Sequence, residues 1–219
     1  MSTVILTCAF LKDYVAAAQR SQGTNYPVEI IDRKYHVDPP LLREKVIEAV
    51  NALPPEVDTV LVSMGFCGGA WHEVSFDRRV VIPRVDDCIT LLMHTDDTYC
   101  PNLKEQGHLY VADEDPSEFS VEKMLKESEG MFEGKSRDDL FHIFFDDYRF
   151  VDIVDTGYTD CYEESYVEAV QSTADAIGAE VTFVPGSNII LEKLVSGRWD
   201  EQFLVCQPGG MIRHGDFFD

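Results

Sequence analysis

The sequence predicts an α/β protein built on a mainly parallel sheet flanked by helices, and three observations predict it. Short β-rich apolar runs alternate with stretches of helical apolar spacing along most of the chain. One run, Thr59-Val60-Leu61-Val62, is almost wholly apolar, which implies burial on both faces and so parallel neighbours. Glycine- or proline-rich turns follow these runs at once. With 219 residues, 45% of them hydrophobic, the chain can bury one sizeable core and is short for two independent domains. The expectation is one unit over 1–219, whose natural subdivision is two Rossmann-like lobes, 1–112 and 149–219, separated by a helical segment over 113–148.

Residues 4–7 form the first strand, and 13–20 a helix that Gly23 stops. Residues 28–31 give a second strand. Pro39-Pro40 then opens a helix whose apolar positions Leu41, Leu42, Val46, Ile47, Val50 and Leu53 keep helical spacing until Pro54-Pro55. Residues 59–62 and 80–83 are the next strands. Asp86 or Asp87 caps a helix through Ile89, Leu91 and Leu92, and 108–112 is a fifth strand. The acidic stretch 113–134 carries one amphipathic helix, 121–131, and a second spans 138–148. Strand character resumes at 151–154, followed by a helix ending near Gly178, a strand at 181–184, a helix through Leu194 and a last strand at 203–205.

Lysine and arginine number 18 against 40 acidic residues, a formal charge of -22, and such a field repels phosphate backbones and anionic headgroups. Nucleic acid and membrane surfaces are therefore poor partners. The apolar start of the chain has no basic lead region, is too short to span a bilayer and reads as a strand. None of the six cysteines lies in a C-x-x-C pair, so the chain is neither a zinc ribbon nor a dense disulfide scaffold. Free thiols in a cytoplasmic protein are the expectation.

In open parallel sheets, ligands bind beyond the carboxyl ends of the strands. That rule gathers Cys8, Asp32 with His36, the turn Gly65-Phe66-Cys67-Gly68-Gly69, and Arg84 to Cys88 at one edge. It also puts Asp155-Thr156-Gly157, Pro185-Gly186-Ser187 and Cys206 to Gly210 there. Cys8, Cys67 and Cys88 suit a borderline-soft cation, zinc or another transition metal, with His36 as an optional fourth ligand. The same residues allow other readings. Cys67 between glycines is a candidate nucleophile, free cysteines also serve as small core residues, and His36 sits where a surface or capping histidine would. Gly68, Gly69 and Gly209 are candidates for cradling a cofactor or anion, although no P-loop and no G-x-G-x-x-G is present. Arg84 either binds a substrate anion or pairs with Asp86 or Asp87. Asp155 is a ligand-facing or capping carboxylate. One Asp-Thr-Gly loop in an α/β setting does not make an aspartic protease. Cys100 and Cys161 are read as structural, and Trp71, His72 and Tyr158 as pocket walls.

Several of these stretches together resemble an uncharacterised bacterial and archaeal family catalogued as domain of unknown function 1638. The likeness is carried by Cys8, by His36 before Pro39, by the turn around Cys67, and by the segment Val81-Ile82-Pro83-Arg84-Val85-Asp86-Asp87-Cys88-Ile89. Asp155-Thr156-Gly157, Trp199-Asp200 and Pro208-Gly209 extend it. Asp86 stands where the family pattern has a histidine. The resemblance implies a shared fold and site, and an association with corrinoid-dependent methyltransferase systems. The resulting expectation is a metal-dependent enzyme of thiol or methyl metabolism, with Cys8, Cys67, Cys88 and His36 on the metal and Arg84 and Asp155 orienting substrate. The alternative is a non-catalytic accessory protein that binds a metal, a corrinoid or a partner methyltransferase.

Overall fold

The computed structural model describes every residue except Met1, Phe119, 129–131 and Glu133. Its elements in chain order are β1 (Ser2–Cys8), α1 (Lys12–Gln22), β2 (Val28–Ile31), α2 (Pro39–Ala52), β3 (Val57–Val62), β4 (Val74–Ser75), β5 (Arg79–Pro83) and α3 (Cys88–Met93). There follow β6 (His108–Val111), α4 (Val121–Ser128), α5 (Arg137–Phe145), β7 (Phe150–Asp155), α6 (Glu164–Ile177), β8 (Glu180–Pro185), α7 (Ile189–Ser196), β9 (Phe203–Cys206), β10 (Met211–Ile212) and α8 (Gly215–Phe218). The continuation of the first acidic-stretch helix to Met131 lies outside the described residues. The chain divides into two units, Met1–Leu103 with Asn188–Asp219, and Lys104–Ser187.

The first unit carries a five-stranded sheet in the order β2-β1-β3-β5-β9. Its first four strands are parallel, and β9 runs antiparallel to β5. The central strands are apolar on both faces because helices cover both: Ile5, Leu6, Val60, Val62, Val80 and Ile82 are fully buried. Each such aliphatic side chain contributes about 1.5–3 kcal/mol of transfer free energy. Helix α7 packs on both α1 and α3. Helix α2 begins as its sequence dictates, with prolines in the first turn and the Asp38 carboxylate accepting from the Leu41 N–H at 3.1 Å.

The direction of β9 corrects one expectation. Cys206 pairs with Val80 near the start of β5, and Phe203 pairs with Pro83 at its end. The turn after β9, with Cys206 and Gly209, therefore sits at the amino edge of the parallel strands, opposite the edge where Cys8 ends β1. The longer strands were legible in the sequence; the two-residue strands β4 and β10, which pair antiparallel with each other, and the polarity of β9 were not.

The second unit holds a three-stranded, wholly parallel sheet, β6-β7-β8. Its core is formed by Val111, Leu140, Phe145, Val151, Ile153, Val170 and Ala174 with their neighbours. The helices of 113–148 are thus the crossover from β6 to β7 within this unit, rather than a segment between two lobes, and β6 belongs with β7. Asp152 is fully buried in β7, where His108 Nδ1 lies 2.7 Å away and the Thr182 hydroxyl donates to it. Among the described residues, no helix is long and apolar enough to cross a membrane.

Candidate thiol centre

From β1 the chain crosses to β2 on one side and then to β3 on the other. The carboxyl ends of β1 and β3 therefore form the point where the connections diverge and open a crevice. Three adjacent strands in the order β1-β3-β5 each deliver a cysteine there. Cys8 is the last residue of β1, Cys67 lies in the turn after β3, and Cys88 is the first residue of α3 beyond β5.

The loops after β3 and β5 are joined to each other. The Phe66 N–H donates to Val85 O at 2.8 Å, and the Cys67 N–H donates to Asp86 O at 2.7 Å. Gly65 makes this approach possible, since a Cβ there would lie 2.7 Å from Val85 O and 2.8 Å from Asp87 N. Beyond it the backbone is strained: Cys67 has φ of 47° and is followed by Gly68 at 68°. A left-handed conformation in a residue with a side chain costs about 1–3 kcal/mol and persists only where neighbours enforce it. A Cβ on Gly68 would meet Pro39 at 2.9 Å, so the same turn also presses on the start of α2. The Asp87 carboxylate accepts from the N–H groups of Ile89 at 3.0 Å and Thr90 at 2.9 Å, fixing α3 and with it Cys88.

These constraints bring the side chains into a row. Cys67 acts on the titration of Cys88, Cys88 on that of Cys8, and His36 on that of Cys8, which makes the four side chains neighbours. His36 arrives from the short 3-10 turn Arg33–Val37 that joins β2 to α2. Its Nε2 is buried and has no hydrogen-bond partner among the described residues. The neighbouring thiol of Cys88, together with burial, pushes the Cys8 thiol far above its ordinary range, and His36 opposes this. Cys67 and burial raise Cys88 likewise, with Cys8 opposing. As free thiols both are therefore neutral at pH 7, which makes them poor nucleophiles. Behind them, Ser63 Oγ donates to Thr7 Oγ1 at 2.6 Å, a buried polar pair at the ends of β3 and β1.

The chemistry of the donor set, three sulfurs and one imidazole nitrogen without a partner, fits a borderline-soft cation. Among the described residues, however, no group of three or more histidine, cysteine, aspartate or glutamate side chains is placed so that it could hold a metal ion.

A cavity of about 660 Å³ adjoins the same turn, lined by Pro39, Pro40, Arg43, Phe66, Gly68, Gly69, His72, Glu73 and His214. Gly68 and Gly69 thus face a pocket, and so does His72. Gly209 lines no part of it; its N–H donates to Phe76 O at 2.7 Å. Trp71 is fully buried core. Arg84 is committed elsewhere. Its Nε donates to Asp216 O at 2.7 Å, Nη1 to Glu201 O at 3.0 Å and Nη2 to Asp219 O at 3.3 Å, while its guanidinium lies over the Tyr99 ring. These contacts tie the loop after β5 to α8 and to the turn before β9, and lend no support to a substrate-orienting role. Asp155 and Tyr158 belong to the second unit, where Asp155 accepts from the Tyr162 hydroxyl at 2.7 Å and the Gly157 N–H at 3.1 Å. Cys161 is buried there as well.

Sequence reasoning missed Arg43, His214 and the packing of α8. Phe66 contacts Phe217, Phe218 and His214 at ring separations of 5.0, 5.4 and 5.3 Å. The one available signal was the closing Phe217-Phe218 pair, apolar bulk at a chain end that needs a place to pack.

A family model matches residues 30–195, well over half of the chain, and is described as protein of unknown function (DUF1638). The chain belongs to the DUF1638 family. The DUF1638 match takes in His36, Cys67, Cys88, Arg84 and Asp155, and leaves Cys8, Gly209 and His214 outside it. No curated protein and no solved structure matches the chain.

Proposed function

We propose that this DUF1638 protein is a metal-dependent enzyme of thiol or methyl metabolism, with the metal held by Cys8, Cys67, Cys88 and His36. One observation carries the reading: three neighbouring parallel strands deliver three thiols to the divergence point of the sheet, in a row that ends on a histidine nitrogen with no other partner. The buried Nε2 of His36 has no hydrogen-bond partner among the described residues, and a cation would give it one. The strain at Cys67 supports the same reading, because it is spent on holding a sulfur beside Cys88. A borderline-soft cation such as zinc, when bound, keeps a thiolate ionised at neutral pH and serves as a Lewis acid. The chain's own contribution would be to bring the donors to one sheet edge and to exclude water, since all three cysteines are buried.

The test is elemental analysis of the full chain purified without chelator or affinity metal, beside a Cys67→Ser, Cys88→Ser double variant. Near-stoichiometric zinc, iron or cobalt in the parent and its loss in the folded variant are expected. A metal-free parent, or a variant that keeps its metal, overturns the proposal. Metal bound without turnover of any thiol or methyl donor moves the reading from enzyme to accessory carrier.

A further inference from the structure

We propose that the cavity beside the Cys67 turn binds a small organic anion, its charged group held by Arg43 between His72 and His214, its apolar body lying on Phe66, Pro39 and Pro40. The volume, about 660 Å³, is that of a small-molecule site. The lining is unlike the rest of the chain. Acidic residues outnumber lysine and arginine 40 to 18 overall, yet here one arginine meets one carboxylate, Glu73, which lies 3.9 Å from His72 Nε2, and His214 adds a further ring nitrogen donor.

Arg43 is already in place for the task. Its Nε donates to His72 O at 2.9 Å and its Nη2 to Glu73 O at 3.1 Å, which fixes the guanidinium plane and leaves Nη1 without a partner among the described residues. A planar fork fixed by the fold loses little freedom on taking up a carboxylate or phosphonate. The wall is strained where it matters. Cys67 and Glu73, with φ of 47° and 53°, are the positive-φ residues other than glycine among the described residues, and they bracket the turn that lines the cavity. Strain of this kind collects at binding sites. His214 is held in the wall by stacking on Phe218 at 4.5 Å and by its edge contact with Phe66. That the anion is the substrate of the thiol centre rests on the preceding proposal, because one turn serves both: Cys67 belongs to the thiol row, and Phe66, Gly68 and Gly69 line the cavity. That an anion binds at all does not.

The experiment is a titration of the ¹⁵N-labelled full chain, freed of metal by chelation, with benzoate and phenylphosphonate and with benzyl alcohol as the uncharged control. Saturable amide shifts are expected at 41–43 and 66–73, with roughly tenfold weaker binding of the alcohol. Arg43→Gln should weaken anion binding by roughly tenfold. Because Arg43 also holds two backbone carbonyls, His214→Gln, whose side chain makes no hydrogen bond among the described residues, is the second variant, with an expected loss of roughly threefold. Absent or non-saturable shifts, shifts centred elsewhere, equal binding of the alcohol, or unchanged binding in both variants overturns the inference. Anion binding by a chain that never takes up metal sinks the metal centre alone; metal uptake without anion binding sinks only this inference.

Discussion

At Gly65 a single hydrogen stands where any other side chain would strike the next loop. Gly65→Ala places a methyl group 2.7 Å from Val85 O, and backbone on both sides leaves nothing flexible to give way. The expected cost is about 1–3 kcal/mol in denaturant unfolding. The two loops should also part, so that Cys67 and Cys88 react faster with a thiol reagent than in the parent; unchanged stability and reactivity would show that the loops are not locked together. His94 makes a pH prediction. It is 3% exposed, its Nε2 lies 2.9 Å from Cys100 O, and Gln202 Nε2 lies 3.4 Å from its Nδ1. Burial holds its pKa below the ordinary 6.5, with the Cys100 carbonyl and Asp96 opposing and Lys193 assisting. The unfolded chain then takes a proton near 6.5 that the folded chain refuses, so stability falls as pH drops below that value and levels off below the folded pKa. The slope from this group is at most about 1.4 kcal/mol per pH unit. His94→Gln should flatten the acid limb of the stability curve between pH 7 and 5, and an identical limb in parent and variant would contradict the assignment. At this scale the positions of Cys8, Cys67 and Cys88 beside strand ends could be read from the sequence, since the apolar runs that precede them are local. The role of Arg84 could not, because its partners are backbone carbonyls more than a hundred residues away.

Between residues and sheet stand the elements, and here α3 matters most to the centre. It is short, Cys88–Met93, and too brief to hold its own shape without a cap. Asp87 supplies two hydrogen bonds to its first turn. Asp87→Ala should cost about 1 kcal/mol. It should also weaken uptake of added zinc by the centre while leaving the far-UV spectrum nearly unchanged, whereas loss of stability with full zinc affinity would confine Asp87 to capping. The capping aspartate, the proline-led α2 and the buried strands were all legible, since each rests on local chemistry within a few residues. The polarity of β9 was not. A four-residue apolar strand reads the same in either direction, and its antiparallel pairing with β5 is decided by a chain that leaves the unit at Leu103 and returns at Asn188. That reversal removes Cys206 and Gly209 from the edge where the other cysteines meet.

Over the whole molecule, the α/β class follows from composition and periodicity, but the division into units does not. Residues 104–187 build their own parallel sheet and core, inserted between α3 and α7 of the first unit, and nothing in hydrophobic spacing says which strand joins which sheet. The carboxyl-edge rule consequently holds within each sheet, and sequence order alone cannot gather Asp155 with the cysteines. What it does gather, in the first unit, is the row from Cys67 through Cys88 and Cys8 to His36. The most direct test of that row as one centre is titration of the metal-free chain with cobalt(II), read by its thiolate-to-cobalt charge-transfer absorption, in the parent and in Cys8→Ser, Cys67→Ser, Cys88→Ser and His36→Gln. The account predicts an end point at one cobalt per chain, with intensity that falls for each cysteine variant and a shifted ligand-field band for the histidine variant. Absorption that is missing, or that survives any single cysteine change at full strength, would contradict it.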